Sequence, residues 1–372
     1  CGVVGYFGSD LCHFIERLPD KAVDDMGIPD MYIAFYDTMI SYDNFLNTCH
    51  VIGVDFGLDN KQNDRMEHMD NLLRRQSDAG YKPKDYMPGP VISEPTLKFN
   101  FTKELYMDAI GRIKDYITAG DVYQVNLSQR IETHIDIPPY ELYKKLRSIN
   151  PAPFSSYLAF DDVAIISSSP ERFLKVNDRH VQTRPIKGTR PRGGDIKTDE
   201  MMKQALLASQ KDNAELTMII DLERNDLGRV CDYGSVKVTE RKVLETYPTV
   251  YHLVSTIEGD LYERYDFIDL LKATFPGGSI TGAPKIRAMQ IIDELEPTQR
   301  SVYTGSIGYI GFNGDADLNI AIRTYIMKGN TVYFQVGSGI VADSHAEDEY
   351  EETMHKAKAL IDSLKTCPTS FS

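Results

Sequence analysis

Apolar and polar residues alternate over short segments along much of the chain, a pattern typical of β-strands separated by turns. One such segment runs from Val3 to Phe7, and several more lie between Met31 and Phe56. The period becomes helical after Thr102, a capping residue, and the apolar stripe that follows ends at Gly120. The pattern therefore predicts a mixed protein in which helices accompany many strands.

The strand predicted from Asp121 to Arg130 has a polar face as well as an apolar one. Gln124, Asn126 and Ser128 point to one side, because side chains alternate along a strand. A polar face of this kind meets water or lines a cavity. Further strands are predicted at 156–160, 165–169, 301–312, 318–327 and 331–335, and helices at 140–147 and 285–295. Residues 198–227 are predicted to be helical with at most one break.

Residues 77–95 are rich in proline and glycine, which predicts a linker. The linker follows a polar segment at residues 59–76 that is predicted to be helical. We therefore expect two parts. Residues 1–95 form a β-rich N-terminal part, truncated and packed on the rest, and residues 96–365 form a catalytic domain.

Composition narrows the class of protein. The 372 residues are 42% hydrophobic and 26% charged, which is enough for a large core. The net charge of −14 argues against a nucleic-acid partner, since an acidic surface repels phosphates. Five cysteines without a CxxC spacing indicate neither a disulfide framework nor a zinc site. With no apolar run of membrane length and no signal peptide, we expect a cytoplasmic protein with no membrane partner.

The N-terminus offers one alternative function. The chain starts Cys1-Gly2-Val3-Val4-Gly5, which resembles the opening of amidotransferases that use an N-terminal cysteine as their nucleophile. About a hundred residues precede Phe101, which is short for a separate domain of that kind. We therefore interpret the segment as a strand at which the chain happens to start.

The segment from Thr183 to Arg192 contains the candidate nucleophile, Lys187. Its two prolines disfavour a helix, so the segment is predicted to be extended, with Lys187 and Thr189 on one face and two arginines on the other. Gly188 leaves room for a ligand beside the lysine. The alternative interpretation is an edge strand with a solvated basic face.

Two helices carry acids at a spacing of three residues, which places each pair on one helix face. The first pair is Asp212 and Glu215, and the second is Glu349 and Glu352. All-oxygen pairs of this kind suit Mg2+, which retains water and takes few carboxylates from a protein. Each pair alone is also typical of a solvated helix face.

Other segments carry candidate chemistry. Glu171 follows an apolar strand and a proline, so it faces either an enclosed space or a surface turn. The glycine-rich loop from Phe275 to Lys285 leads into a helix whose free NH groups suit an anion, either a carboxylate or a phosphate. Its spacing is not that of a P-loop. Ser344 and Glu347 have the spacing of a capping box.

Several of these segments together resemble the chorismate-utilising enzymes, in the same order and with similar spacing. The resemblance covers residues 100–362, and the N-terminal part more weakly. It implies an α+β fold in which two antiparallel β-sheets pack as a sandwich flanked by helices. The segments that carry it are Gly120 to Arg130, Ser168 to Phe173, Arg184 to Arg190, Lys211 to Arg229, Phe275 to Lys285, Ala321 to Thr324 and Gly337 to Glu352.

The resemblance also implies roles for individual residues. Lys187, Glu171 and His252 match catalytic positions, and Glu171 would protonate the departing C4 hydroxyl group of chorismate, which calls for a raised pKa. Mg2+ would link the ring carboxylate to Asp212, Glu215, Glu349 and Glu352. The positions that match substrate-binding residues are Gln124, Thr189, Thr281, Arg323, Gly337, Ser338, Gly339 and Lys356.

Two positions separate members of this family. Members that add water at C2 carry a lysine where this chain has Gln124, and anthranilate synthases usually carry alanine where it has Lys187. Aminodeoxychorismate synthases usually carry that lysine in a Pro-Ile-Lys-Gly-Thr block, as here. The resemblance therefore favours formation of 4-amino-4-deoxychorismate, for para-aminobenzoate and folate biosynthesis, through an adduct of Lys187 at C2.

In this family the ammonia comes from a glutamine amidotransferase partner. The chain has no Gly-x-Cys-x-Gly motif with a His and Glu pair, so a separate subunit is implied. Two alternatives stay open: an anthranilate synthase component I, and a non-catalytic chorismate-binding protein. Asp212 stands where some relatives have glutamate, which indicates a metal contact through water.

Overall fold

The computed structural model describes residues 1–57, 61–78, 94–247 and 250–365. Its helices are α1 (Gln62–Asp78), α2 (Lys103–Ala119), α3 (Pro139–Ile149), α4 (Ile196–Ala208), α5 (Gln210–Gly228), α6 (Phe267–Thr274), α7 (Lys285–Leu295) and α8 (Ala346–Leu364). None of these described helices is both long and apolar enough to cross a bilayer.

The strands follow the same chain order. They are β1 (Gly2–Phe7), β2 (Met31–Tyr36), β3 (Thr38–Asp43), β4 (Thr48–Gly53), β5 (Lys98–Phe99), β6 (Gln124–His134), β7 (Phe154–Phe160), β8 (Val163–Ser169), β9 (Arg172–Asn177), β10 (His180–Arg184), β11 (Ile186–Pro191), β12 (Lys237–Thr246), β13 (Val250–Asp260), β14 (Gly282–Ala283), β15 (Ser306–Gly311), β16 (Ala316–Asn319), β17 (Thr324–Lys328) and β18 (Thr331–Ile340).

The described strands form two large antiparallel sheets and a separate hairpin, β3–β4. The nine-stranded sheet has the order β11-β13-β10-β9-β16-β15-β1-β2, with β12 paired to β13. The seven-stranded sheet has the order β14-β6-β18-β17-β8-β7, with β5 paired to β6. Antiparallel sheets with helices packed against them confirm the predicted α+β class.

The two large sheets share a core. Tyr6 and Ile307 reach it from the nine-stranded sheet, and Ile165 and Ile326 reach it from the seven-stranded one; each is at most 4% exposed. Helices α5 and α6 pack their apolar sides on the nine-stranded sheet, while α2, α3, α7 and α8 cover the seven-stranded one. Burial of these apolar side chains holds the layers together.

Two segments, which we call the crossovers, carry the chain from one large sheet to the other. Pro170-Glu171 links β8 to β9, and Ile320 to Arg323 links β16 to β17. The single strand predicted at 318–327 is therefore wrong, because Arg323 has a φ of +51°, outside the region of strand backbone. The crossovers bind each other: Ile320 N donates to Glu171 O at 3.0 Å, and Ser169 Oγ donates to Ile320 O at 2.6 Å.

The N-terminal strand belongs to the same sheet as much of the later chain. β1 pairs with β15 over its whole length, from Gly2 opposite Gly311 to Phe7 opposite Ser306. Residues 79–93 of the predicted linker lie outside the described residues. The division of the chain at residue 95 therefore stays a prediction.

Helix ends follow the sequence signals where a side chain can cap the backbone. The Thr102 hydroxyl accepts a hydrogen bond from the first turn of α2, and Gly120 ends that helix with a φ of +84°. The helical segment predicted at 198–227 has the one break that the prediction allowed, because Ser209 ends α4 and caps α5. That break turns the first acid pair, at the start of α5, towards β11.

Candidate functional site

Glu171 lies in the first crossover, where the protein encloses it. The residue is 4% exposed, and its Oε1 accepts a hydrogen bond from Ile186 N at 3.3 Å. Burial raises the pKa of Glu171, although the Ser279 hydroxyl and the Lys187 ammonium act in the opposite direction. Of the two alternatives left by the sequence, the enclosed space is the one observed. A carboxyl group in such surroundings retains its proton at higher pH and suits general acid chemistry.

Lys187 extends from β11 into the same space. Its Nζ donates a hydrogen bond to Ser279 O at 2.9 Å. Burial lowers the pKa of Lys187, while the carboxylates of Glu215 and Glu171 act in the opposite direction. A lowered pKa increases the fraction of neutral amine, which is the nucleophilic form.

The strand that carries this lysine lies at the edge of its sheet, as the alternative interpretation of the sequence had it. Its face is nevertheless not a solvated one, because α4 and α5 pack against it. At Gly188, which has a φ of +82°, an added Cβ would lie 3.0 Å from the Asp212 side chain and 2.8 Å from Leu206. A larger residue here would strain the left-handed backbone and force the Leu206 and Asp212 side chains to move.

The same glycine explains why one predicted orientation is wrong. We predicted that Arg184 and Arg190 both lie on the face opposite Lys187. Arg184 bonds to β12 and β13, but Arg190 turns to α5 and pairs with Asp212 at 2.8 Å. The left-handed backbone at Gly188 accompanies a register shift in β11, which breaks the simple alternation of side chains.

His252 lies opposite Thr189 on the neighbouring strand β13. Its Nδ1 is 2.8 Å from Thr189 Oγ1, and the ring of Tyr247 contacts it edge to face. Burial, helped by the Arg323 guanidinium, lowers the pKa of His252 to about 3. The imidazole is therefore neutral near pH 7, where it can form hydrogen bonds but has no extra proton to give to a substrate.

Arg323 lies in the second crossover, and its Nη1 donates to Asn150 Oδ1 at 3.3 Å. Its left-handed backbone is a conformation that non-glycine residues retain chiefly at functional sites. Burial lowers the pKa of Arg323, although the nearby Glu171 acts in the opposite direction. A guanidinium group presents a fork of donors that matches a carboxylate.

The seven-stranded sheet brings together most of the other predicted substrate-binding positions. Gln124 on β6 lies beside Gly339 on β18, where an added Cβ would be 2.3 Å from Gln124 Nε2. Gln124 Oε1 is buried and has no hydrogen-bond partner within the described ranges. Lys356 Nζ donates to Gly337 O at 2.9 Å. These atoms leave hydrogen-bonding capacity for a polar ligand.

The glycine-rich loop forms another wall, and an arginine that the sequence did not single out holds it in place. Thr281 Oγ1 donates to Gly277 O at 3.0 Å. Arg300 donates to Ile280 O at 3.0 Å and pairs with Glu296 at 2.7 Å, and both residues of that pair are buried. Ile280 follows the serine whose carbonyl binds Lys187 Nζ. The i, i+4 spacing of the pair was a signal in the sequence, but such pairs usually lie on the surface.

The acids on α8 lie beside basic groups. Glu349 is 2% exposed, and its Oε1 accepts hydrogen bonds from Ser344 Oγ at 2.7 Å and from Lys211 Nζ at 3.2 Å. The predicted capping box is therefore wrong, because the Ser344 hydroxyl bonds to Glu349 and gives α8 no side-chain cap. Glu352 pairs with Lys356 at 2.7 Å. Lys211 was not among the predicted site residues, although it lies four residues before Glu215 on the same helix.

The acids of the first predicted pair lie near the start of α5; they are Asp212, which pairs with Arg190, and Glu215. Burial raises the pKa of Glu215, while Lys187 and Lys211 act in the opposite direction. Across the described ranges, no three His, Cys, Asp or Glu side chains converge as a ready-made metal site. Mg2+ requires fewer, because water and substrate oxygens complete its shell. Glu349 Oε2 is buried and has no partner in the described part of the chain, so the oxygen donors present fit this ion.

Comparison with known proteins decides which family the site belongs to. A family model described as "chorismate binding enzyme" matches residues 1–362. The chain belongs to this family of chorismate-binding enzymes. The family resemblance predicted from the sequence is thereby confirmed, and the protein is a chorismate-utilising enzyme.

Relatives named for two different activities are equally similar to this chain. The chain is 42% identical over 372 residues to anthranilate synthase component 1 of Aquifex aeolicus (strain VF5), with 99% of this chain and 75% of the relative covered. It is also 42% identical over 368 residues to aminodeoxychorismate synthase component 1 of Salmonella typhimurium (strain LT2), with 98% and 77% covered. The family therefore includes both of the amine-forming reactions considered from the sequence.

A solved structure of a chorismate-binding family member supports the fold. The crystal structure of anthranilate synthase component I from Streptococcus pneumoniae TIGR4 matches with a TM-score of 0.86 at 35% identity, covering 97% of this chain and 80% of that one. The predicted anthranilate synthase component I-like fold is thereby confirmed.

Proposed function

We propose that this protein is aminodeoxychorismate synthase component I, which converts chorismate and ammonia to 4-amino-4-deoxychorismate. The observation that supports this choice is the position of Lys187, whose amine lies in the enclosed space beside Glu171 and bonds to Ser279 O at 2.9 Å. Burial of the amine favours its neutral, nucleophilic form, and the neighbouring carboxyl group supplies the proton that a departing hydroxyl needs.

The reaction balances with these two groups. Neutral Lys187 forms a bond to C2 of chorismate, both ring double bonds shift by one position, and the C4–O bond breaks as Glu171 gives its proton to the hydroxyl, which leaves as water. Ammonia then forms a bond to C4, both double bonds shift back, and the C2–N bond breaks, so Lys187 leaves as a neutral amine. The new C4 ammonium returns one proton to the Glu171 carboxylate. Both side chains end the cycle as they began it.

The remaining residues hold the substrate. Arg323 and Lys356 are the cations suited to chorismate's carboxylates, and the Gly337–Gly339 strand with Thr281 forms the adjoining walls. Neutral His252, held by Thr189, offers a hydrogen bond, and Gln124 offers a second one through its unpartnered Oε1 in the described structure. Gln124 has no basic lone pair, which disfavours attack by water.

The all-oxygen donor set supports Mg2+ as the metal. Glu215, Glu349 and Glu352 would hold the ion, with Asp212 contributing through water because it pairs with Arg190. When bound, Mg2+ neutralises the ring carboxylate and fixes its position. The names of the relatives, "component 1", support a separate partner, which we propose is a glutamine amidotransferase subunit that supplies ammonia.

Anthranilate synthase component I is the second candidate function, because relatives of that name match at equal identity. The test is the product that the purified protein forms from chorismate, Mg2+ and ammonium at alkaline pH, identified by mass spectrometry. We expect 4-amino-4-deoxychorismate. Fluorescent anthranilate as the main product would overturn the proposal, and no turnover by folded, magnesium-saturated protein would favour a non-catalytic chorismate-binding role.

A further inference from the structure

Lys211 is a basic residue that the proposed reaction does not use. It lies at the start of α5 and faces the three glutamates that we call the acid cluster, Glu215, Glu349 and Glu352. Its Nζ is 3.2 Å from Glu349 Oε1, and the charges of all three acids act on it. Lys187 and Lys356 also act on Glu215 and Glu352, but Lys211 is the lysine that bonds to Glu349 in the described structure.

The two partners of this ion pair have opposite exposure. The Glu349 side chain is 3% exposed, whereas the Lys211 side chain is 54% exposed. Ser344 holds Glu349 Oε1 from the other side at 2.7 Å, so the carboxylate is fixed while the lysine is reached by solvent. A lysine ammonium on a flexible, solvated stem can leave such a pair at small cost, but a buried carboxylate cannot leave it.

We infer that Lys211 is the protein's own counter-cation for Glu349 in the acid cluster and competes with a divalent cation for that carboxylate. The inference rests on the proposed function, because the proposed magnesium site includes the same carboxylates. An ammonium and a divalent cation repel each other strongly at the distance set by one shared carboxylate. Binding of the divalent cation therefore requires Lys211 to move out towards solvent.

This competition has two consequences. The protein keeps its acids compensated at low magnesium concentration, so the cluster does not repel itself. In return, each magnesium ion has to break the Lys211–Glu349 pair, which weakens binding and sets the concentration at which the site fills. Lys211 thereby tunes the magnesium requirement of the enzyme without contacting the reacting atoms of chorismate.

The test is to replace the ammonium with an apolar group of similar length, Lys211→Met, and to titrate MgCl2 into the protein by isothermal titration calorimetry. We expect the Mg2+ Kd to fall by about tenfold or more, because a competing unit charge is removed. Thermal unfolding in EDTA should show a lower Tm than that of the wild type, and Mg2+ should raise the Tm of the variant more. Lys211→Arg, which retains the charge, should behave like the wild type.

Lys203→Met is the matched control. Lys203 lies on the neighbouring helix α4 and pairs with Glu200 at 3.5 Å on the surface, away from the acid cluster, so its loss should leave the Mg2+ Kd unchanged. An unchanged Kd in Lys211→Met would overturn the inference, and a weaker Kd would show that the lysine instead holds Glu349 in place for the metal. If the wild type itself binds no Mg2+, the metal assignment fails together with the inference, while the product assay still decides the reaction.

Discussion

The groups at the proposed reaction centre differ from those around it in what dominates their pKa, which is burial in one set and ion pairing in the other. The sheet-borne groups, which are Glu171, Lys187, His252 and Arg323, lie on strands or crossovers, and burial shifts the pKa of each towards the neutral form. The helix-borne groups on α5 and α8 are mostly paired. Burial opposes ionisation of Lys211 and Glu352 too, yet their partners raise the pKa of the lysine and lower that of the glutamate.

The difference follows from how each kind of element presents a side chain. The crossovers pass between two sheets, so a polar group there is dry and fixed by backbone hydrogen bonds, such as that from Ile186 N to Glu171. The helices present acids and bases from two neighbouring faces to partly solvated space, where pairs form. The enclosed groups therefore suit proton transfer and nucleophilic attack, whereas the paired groups suit binding of ions and carboxylates.

The largest expected effect comes from Lys187→Ala, which removes the proposed nucleophile from the sheet-borne groups. We expect formation of 4-amino-4-deoxychorismate to fall by roughly 10³-fold or more, since loss of a nucleophile removes a whole chemical step. Loss of the lysine side chain also leaves C2 of chorismate accessible, so some ammonia should add there and yield anthranilate. Product analysis by mass spectrometry measures both outcomes.

Lys187→Arg is the matched variant, because it retains the charge but cannot become neutral. It should stay as inactive as the alanine variant. Wild-type protein quenched with chorismate in the absence of ammonia should carry an adduct on the peptide that contains Lys187. Near-normal formation of 4-amino-4-deoxychorismate by Lys187→Ala would show that catalysis is not covalent and that the lysine serves only as a positioning charge.

The next effect in size is expected from Glu171→Gln, which retains the hydrogen bond from Ile186 N but has no proton to donate. Turnover should fall by between about 10² and 10⁴-fold, the usual contribution of a general acid. Chorismate binding measured by calorimetry should be retained, because the loss concerns the departing hydroxyl. Turnover within tenfold of the wild type would remove Glu171 from the acid role.

The helix-borne acids should affect binding before they affect chemistry. Glu215→Gln and Glu352→Gln are each expected to weaken Mg2+-dependent chorismate binding by about 10- to 100-fold, the range seen when the shell of a metal site is disturbed. Turnover at ordinary magnesium concentrations should be lost with it. Glu347→Gln is the control, since Glu347 lies on the outer side of α8 and pairs with Lys103. Equal effects of all three changes would contradict the metal assignment.

Local sequence signals predicted the elements well where one residue decides the backbone. Thr102 and Gly120 set the ends of α2, and the alternation of β6 put Gln124 on a polar, enclosed face. Motifs pointed to Glu171, Lys187, His252 and Arg323, and the fold places these residues near one another, while their roles stay a prediction. Local patterns succeed here because capping and alternation depend on near neighbours in the chain.

Prediction failed where distant parts of the chain decide the geometry. Arg323 interrupts what looked like one strand, because the chain changes sheets there. Arg190 pairs with α5 because of the left-handed backbone at Gly188, and Ser344 bonds to Glu349 instead of capping α8. Lys211 and Arg300 were missed because their i, i+4 spacings from Glu215 and Glu296 are the same as those of ordinary surface pairs.

The smallest expected effect is on stability alone. It tests whether the difference between the sheet-borne and helix-borne groups comes from burial or from the kind of element that carries the side chain. Glu223 lies on helix α5 but is 7% exposed, and its Oε2 accepts a hydrogen bond from Thr183 Oγ1 at 2.9 Å. Burial raises the pKa of Glu223 from 4.5 to about 8, with the charges of Glu171 and Asp226 acting in the same direction. A helix-borne acid thus behaves like the sheet-borne ones when water is excluded.

The pH dependence follows from the proton count. Between about pH 4.5 and pH 8 the folded protein retains the Glu223 proton while the unfolded chain loses it, so this group makes stability fall as pH rises through that window. Glu223→Gln has no proton to lose and its amide oxygen can still accept from Thr183. Near pH 8 the variant should be more stable than the wild type by about 1–2 kcal/mol, and the gain should vanish towards pH 4.5. Thermal unfolding across this range, with the exposed Glu200→Gln as control, measures the difference. A gain that does not depend on pH would show that the raised pKa of Glu223 is not its cause.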